Sequence, residues 1–219
     1  MKKDRTDKKP WPTKEAMIQI YEKNLWGGNV DFYSGEGSHH PLILNPYMEA
    51  VISILTSFES PIQVCDLGCG DFNVGRQLVK HTKNYKAVDI VPSLIEFNKK
   101  KYKNLNVKFE CLDIAKDQLP QADCVILRQV FQHLSNFEIK SILDKLYQYK
   151  YLILTEHLPH GSFTPNKDII SGQGIRLKKN SGIDILESPF NFKVKSEKLL
   201  SNIVLENQKG CLVTKLYQI

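Results

Sequence analysis

The residues able to do chemistry cluster at a few points along the chain. VCDLGCGDFNVG, Val64 to Gly75, sets three glycines and two acids at the end of an apolar run. Glycines without a Cβ let a ligand approach the backbone, and the flanking Asp66 and Asp71 suit a ligand that carries positive charge. A dinucleotide fingerprint G-x-G-x-x-G needs a third glycine where Asn73 stands, and paired carboxylates would repel its pyrophosphate. Asp89 comes 21 residues after Gly68, where a carboxylate can accept from both hydroxyls of a ribose. Candidate proton acceptors are His133, Glu156 and His157, with His39 and His40 nearer the N-terminus. Arg128 can hold an anionic group or serve in an ion pair. Trp26 and Tyr33 offer aromatic faces beside Ser34-Gly35-Glu36-Gly37-Ser38, a glycine-rich stretch suited to a lid.

The elements that must position these groups alternate. IQVCDL, YKAVDI, NVKFECLD, ADCVILRQ and YKYLILTE read as strands, with helices over Asn73 to His81, from Pro92, and from the capping box Ser135-x-x-Glu138 to about Tyr147. Such alternation predicts a parallel sheet with helices on both faces. KLLSNIVLE and CLVTKLYQI, around Asn207-Gln208-Lys209-Gly210, add an antiparallel hairpin and make seven strands. Asp66, Asp89 and Asp113 then sit at strand ends, where ligands of open sheets bind. Upstream, Thr13 is expected to cap a helix ending near Asn24, and Asn45-Pro46 to start another across Tyr47 to Phe58. Residues 13–60 are too few for their own core and read as a cap on a core at 61–219, one domain in all. The stretch from Gly161 to Pro189 shows no sustained period, and a loop that long usually has a functional role.

Composition narrows the class. The formal charge is +6, but residues 1–9 hold five Lys/Arg against two Asp, so half the excess falls in a terminal tail, 1–12, read as disordered. The remainder argues against a nucleic-acid partner, and the Lys99, Lys100, Lys101 and Lys103 run reads as a solvated helix end. No secretory signal or spanning segment is apparent, which places the protein in the cytoplasm. Five cysteines, four of them in strand-like runs, imply neither a disulfide framework nor, at the Cys65–Cys69 spacing, a metal site.

S-adenosylmethionine, with its sulfonium and ammonium groups, is a ligand of the required charge. In order along the chain, the acid-glycine loop, the Asp89 strand end, Asp113-Ile114 and the loop RQVFQHL resemble class I S-adenosylmethionine-dependent methyltransferases over about Ile62 to Glu156, with the terminal hairpin as strands six and seven. The resemblance implies a Rossmann-like, seven-stranded, mostly parallel sheet of order 3-2-1-4-5-7-6 with an N-terminal helical cap. It implies cofactor binding by Asp66, Gly68, Cys69, Gly70, Asp89, Ile90 and Arg128, with Asp113 and Ile114 at the adenine. NLWGG, SGEGS, RQVFQHLS and PFNF look more narrowly like bacterial methyltransferases that modify small molecules or glycans, although a related pattern places an acid at Gln129. The expected activity is O-methylation of a small polar molecule or glycan without a metal. His133, Glu156 or His157 would act as base, and Trp26, Tyr33, His39 and His40 would hold the acceptor. Two other readings stay open at this point, a non-catalytic binder of the cofactor or its demethylated product and a nucleic-acid methyltransferase. Bland roles also stay open: a tight turn for Gly68 and Gly70, a turn cap for Asp113, a satisfied imidazole for His133 and a packing anchor for Trp26.

Overall fold

A computed structural model describes residues 11–28, 31–206 and 210–219. The basic tail ahead of Trp11 and most of the turn at 207–209 lie outside the described residues. The sheet has the order β3-β2-β1-β4-β5-β7-β6. Its strands are β1 (Gln63–Leu67), β2 (Asn84–Asp89), β3 (Val107–Cys111), β4 (Cys124–Arg128), β5 (Tyr151–Leu158), β6 (Ser196–Val204) and β7 (Cys211–Gln218). The first five pair in parallel, and β7 runs antiparallel to both β5 and β6.

The central strands are near-continuous apolar runs because both faces of the sheet are covered. Alternation divides their side chains: Cys65, Leu67, Val125, Leu127, Leu152 and Leu154 join one core, while Val64, Cys124, Ile126 and Ile153 join the other. Helix α5 (Asn136–Leu146) packs on the first face through Ile139, Ile142, Leu143 and Leu146. Its capping box forms as expected, Ser135 Oγ accepting from the Glu138 amide. Helix α2 (Pro41–Thr56) lies on the second face with Tyr47, Val51 and Leu55, and α4 (Pro92–Lys101) starts on Pro92. Helix α1 (Thr13–Glu22) sets Met17, Ile20 and Tyr21 against Val91 and Leu94, just beyond β2.

Several local expectations are corrected. Thr13 lies inside α1, not at its cap; Pro12 precedes the helix, and the Thr13 hydroxyl donates to Glu138 of α5. Helix α2 starts a turn before Asn45, because Pro41 also fits a first helical position, and Pro46 is carried within it. The helix expected over 73–81 shrinks to α3 (Gly75–Leu78) and a 3-10 turn. Cys111 is exposed rather than packed as a small hydrophobe. The segment without period is not excluded from the core: Ile183 and Ile185 are buried there, and Phe190 and Phe192 just after it. Each such side chain is worth about 1.5–3 kcal/mol of burial.

Candidate active site

The carboxyl ends of β1 to β4 open into one cavity of about 430 Å³. Its floor comes from residues next to regular strands. The loop leaving β1 is anchored by Gly68 and Cys69 amides donating to the Val88 carbonyl at 2.8 and 2.9 Å. Asp66 is buried, takes the Tyr85 hydroxyl at 2.9 Å, and has its acidity weakened by burial, to a pKa of about 7. Asp89 accepts from the amides of Gly70 and Val91, each at 3.1 Å, and burial raises its pKa too. Asp113 accepts from Ala115 N and pairs with Lys116 at 2.8 Å. Asp66, Asp89 and Asp113 all line the cavity, as do Gly68, Cys69, Gly70, Ile90, Ile114 and Arg128.

The roof is the segment Ser34–Ser38. Ser34 N donates to Asp71 Oδ2 at 2.8 Å, and Asp71 N donates back to Ser34 Oγ at 2.8 Å. His39 Nε2 reaches the same carboxylate at 2.6 Å. Arg128, on the last residue of β4, donates to the Gly37 carbonyl and to Ser38 Oγ, with its guanidinium 4.6 Å from the Tyr47 ring centre. The lid expected at this stretch is therefore fastened onto the loop after β1.

This contact explains the bare backbone of that loop. Gly70 has φ +56°, and a Cβ there would stand 2.3 Å from Ser34 Oγ; at Gly68, φ +82°, it would stand 2.5 Å from Val130. The glycines admit the lid and the loop after β4. Asp71, read as a carboxylate facing the ligand, does not line the cavity but holds the lid. Gln129 keeps a left-handed backbone, φ +57°, and its amide lies where a Cβ on Gly37 would fall, 2.4 Å away.

The residues named for acceptor chemistry divide. Trp26 lines the cavity, edge-on to Tyr21 at 5.2 Å. Tyr33 and His39 do not line it: they stack on each other at 4.4 Å, and Tyr33 donates to Glu36 at 2.6 Å. His40 is exposed at the start of α2, outside the cavity. His133 lines the cavity, but both ring nitrogens are engaged. Its Nδ1 is 3.2 Å from the Gly172 carbonyl, which needs a donor, so Nε2 is left to accept from the Gln132 amide at 3.1 Å. Burial lowers its pKa to about 4, so the ring is neutral at pH 7 and a weak base.

Glu156 and His157 stay out of the cavity. The turn Phe131–His133 stands between them and the ligand space: Glu156 Oε1 accepts from Phe131 N at 3.0 Å and His157 N donates to Gln132 Oε1 at 3.2 Å. Glu156 is buried, one oxygen has no partner, and burial raises its pKa to about 8.

Sequence reasoning missed Arg176. It is buried in the segment without period and donates five hydrogen bonds, to Lys167 O, Phe131 O, Gln132 O, Leu134 O and Asn136 Oδ1. Nothing in its neighbours in sequence marks it, since its partners are mostly carbonyls 40 or more residues away. Among the described residues no group of three or more His, Cys, Asp or Glu could hold a metal ion, and no helix is long and apolar enough to cross a membrane.

The strand order is that of a Rossmann-like seven-stranded sheet. The family described as a methyltransferase domain matches residues 64–149, from β1 to the end of α5. Malonyl-[acyl-carrier protein] O-methyltransferase of Acetivibrio thermocellus is 31% identical over 93 residues, 41% of this chain and 32% of that protein. The match thus spans about a third of that relative's length. Among solved structures, N-methyltransferase NodS from Bradyrhizobium japonicum, in complex with S-adenosyl-L-homocysteine, aligns at a TM-score of 0.66 and 11% identity, over 93% of this chain and 98% of that one. Magnesium protoporphyrin IX methyltransferase (ChlM) from Synechocystis, also with S-adenosylhomocysteine, aligns at 0.59 and 15% identity, over 94% and all of its chain. At these identities the likeness to the two structures is one of fold.

Proposed function

We propose that the protein is an S-adenosylmethionine-dependent methyltransferase with a small polar molecule or glycan as acceptor, built as one domain over residues 13–219. One observation carries this reading: carboxylates from the ends of β1 and β2 and from just after β3 converge on a single cavity in which Arg128 is the one Lys or Arg among the described lining residues. The cavity suits a cationic adenosine. Asp89 is placed for the ribose hydroxyls, Asp113 and Ile114 for the adenine, and Asp66 for the ammonium. Two buried atoms there lack partners, Tyr47 OH and Arg128 Nε. Bound there, S-adenosylmethionine would supply a methyl group made electrophilic by its sulfonium.

This chain's residues would then orient the acceptor and exclude water, the lid and Gln129 closing the cavity above the β1 and β4 ends. Oxygen transfer to a hydroxyl needs a base, and none of the three residues named for that task meets the cavity with a free lone pair.

Calorimetric titration with S-adenosylmethionine and S-adenosylhomocysteine, with NADH as control, tests the reading. Saturable binding of the first two alone is expected. Asp89→Ala should weaken both at least tenfold, about 1.4 kcal/mol. Binding of NADH alone, or undiminished affinity in the Asp89 variant, would count against this site.

A further inference from the structure

Trp26, Glu36, Gln129, His133 and Gln173 are neighbouring parts of the cavity lining, a chamber under the lid. Its closeness to the reacting centre follows from topology: an adenosine across β2 and β3 leaves the β4 end, and the loop from Gln129, for the methyl group. Trp26 forms one wall, held edge-on by Tyr21 and tilted against His133 at 5.2 Å. A Cβ on Gly35 would stand 3.8 Å from Trp26 Cβ, so the residue before Glu36 lies against the base of that side chain. Glu36, an exposed residue, lines the cavity while its Oε1 accepts from Tyr33.

From this arrangement, and resting on the methyltransferase reading, we propose that the acceptor is an amine, bound as its ammonium between the Trp26 face and the Glu36 carboxylate. Three classes of nucleophile can be compared on the same residues. An alcohol is about as weakly acidic as water, so its proton must leave as the bond forms. His133, whose lone pair is taken by Gln132, cannot receive it. A carboxylate or thiolate needs no base but brings negative charge into a cavity lined by Glu36, Asp66, Asp89, Asp113 and Glu138. The one lining guanidinium there is turned to the Gly37 carbonyl and Ser38. An amine avoids the charge repulsion and eases the proton loss, because an ammonium gives its proton to water far more readily than an alcohol does. Its ammonium is attracted by Glu36 and by the aromatic face, the latter worth roughly 0.5–2 kcal/mol.

The step balances without a strong base. The ammonium first releases one proton to solvent past Glu36. The neutral nitrogen's lone pair then forms the N–CH₃ bond as the S–CH₃ bond breaks. The bonding pair stays on sulfur, which becomes a neutral thioether, and the positive charge passes to the methylated nitrogen.

The test uses the full chain saturated with S-adenosylhomocysteine and three probes of one shape, phenethylamine, 2-phenylethanol and 3-phenylpropionate, titrated by calorimetry. The amine should bind at least tenfold more tightly than either of the others. Glu36→Gln should reduce the amine to the affinity of the alcohol while leaving S-adenosylhomocysteine binding unchanged. Transfer of labelled methyl from S-adenosylmethionine should follow the same order. Equal or tighter binding of the alcohol or the carboxylate, no binding of any probe, or an unchanged amine affinity in the Glu36 variant overturns the proposal. Failure of S-adenosylhomocysteine itself to bind would instead overturn the methyltransferase reading, so the two failures are distinguishable.

Discussion

The floor and the roof of the cavity are built on different principles. On the floor, Asp66 and Asp89 extend from strands held by parallel neighbours, with Asp66 in register with Ala87 on one side and Ile126 on the other. Losing one side chain there leaves the ladder intact. The roof has no ladder. Ser34–Ser38 rests on Asp71 and Arg128, and the segment without period rests on Arg176, with Glu138 joining Thr13 of α1 to Ser171 of that segment. Gly172 is further tied to His133, and Gln173 donates to the Leu25 carbonyl at 3.0 Å. Preorganisation on the floor is distributed over backbone hydrogen bonds. On the roof it is concentrated in a few charged side chains, so single substitutions should open the roof while the floor persists.

The largest effect is expected at Arg176. Arg176→Met removes five hydrogen bonds and leaves buried carbonyls without donors and Glu156 without its nearby cation. A loss of about 3–5 kcal/mol in urea unfolding should result. A loss under about 1 kcal/mol, within reach of one ordinary hydrogen bond, would show that the roof is not pinned at this point. Asp71→Ala is the next test, removing the acceptor for Ser34 N and the partner of His39. The expected cost is about 1.5–3 kcal/mol. Hydrogen exchange should speed up at Ser34–Ser38 while amides of β1 and β4 stay protected; uniform loss across both regions would erase the distinction drawn between them.

The smallest effect belongs to the floor and is electrostatic. Asp66 has a folded-state pKa raised from 3.8 to about 7, so between those values the folded chain holds a proton that the unfolded chain has lost. Its contribution to stability is present below about pH 4 and declines as the pH rises through 7. A cationic ligand favours the ionised form, so affinity for S-adenosylmethionine should rise toward pH 8, by up to tenfold, about 1.4 kcal/mol, per unit below 7. Asp66→Asn should flatten that rise. His133 works in the opposite direction: with its pKa lowered to about 4, stability falls as the pH drops from 6.5 toward 4.

Legibility in the sequence followed the same division. Asp66, Asp89 and Asp113 could be placed because each follows an apolar run ending at a loop, and a parallel sheet brings all such ends to one edge. Glu156 and His157 satisfied the same rule and still lie outside, because the turn Phe131–His133 and its hydrogen bonds interpose. Strand-end position says which edge a residue occupies but not what another loop places over it. Asp71 and the glycines read as a bare approach for a ligand, and the structure adds Ser34, His39 and Val130 as their neighbours, brought in from other parts of the chain.

The sequence by itself determined the strands, their mostly parallel pairing, the helix starts at Pro92 and Ser135 and the acidic edge of the cavity, while the strand order came from the resemblance. These depend on local periodicity, capping and the requirement that apolar runs be covered. Only the tertiary structure decided that His133 is neutral and engaged, that Arg176 is the clamp beneath the roof, and that Glu36 and Trp26 line one cavity. Those outcomes rest on burial and on hydrogen bonds between distant segments, and no local pattern of residues encodes either.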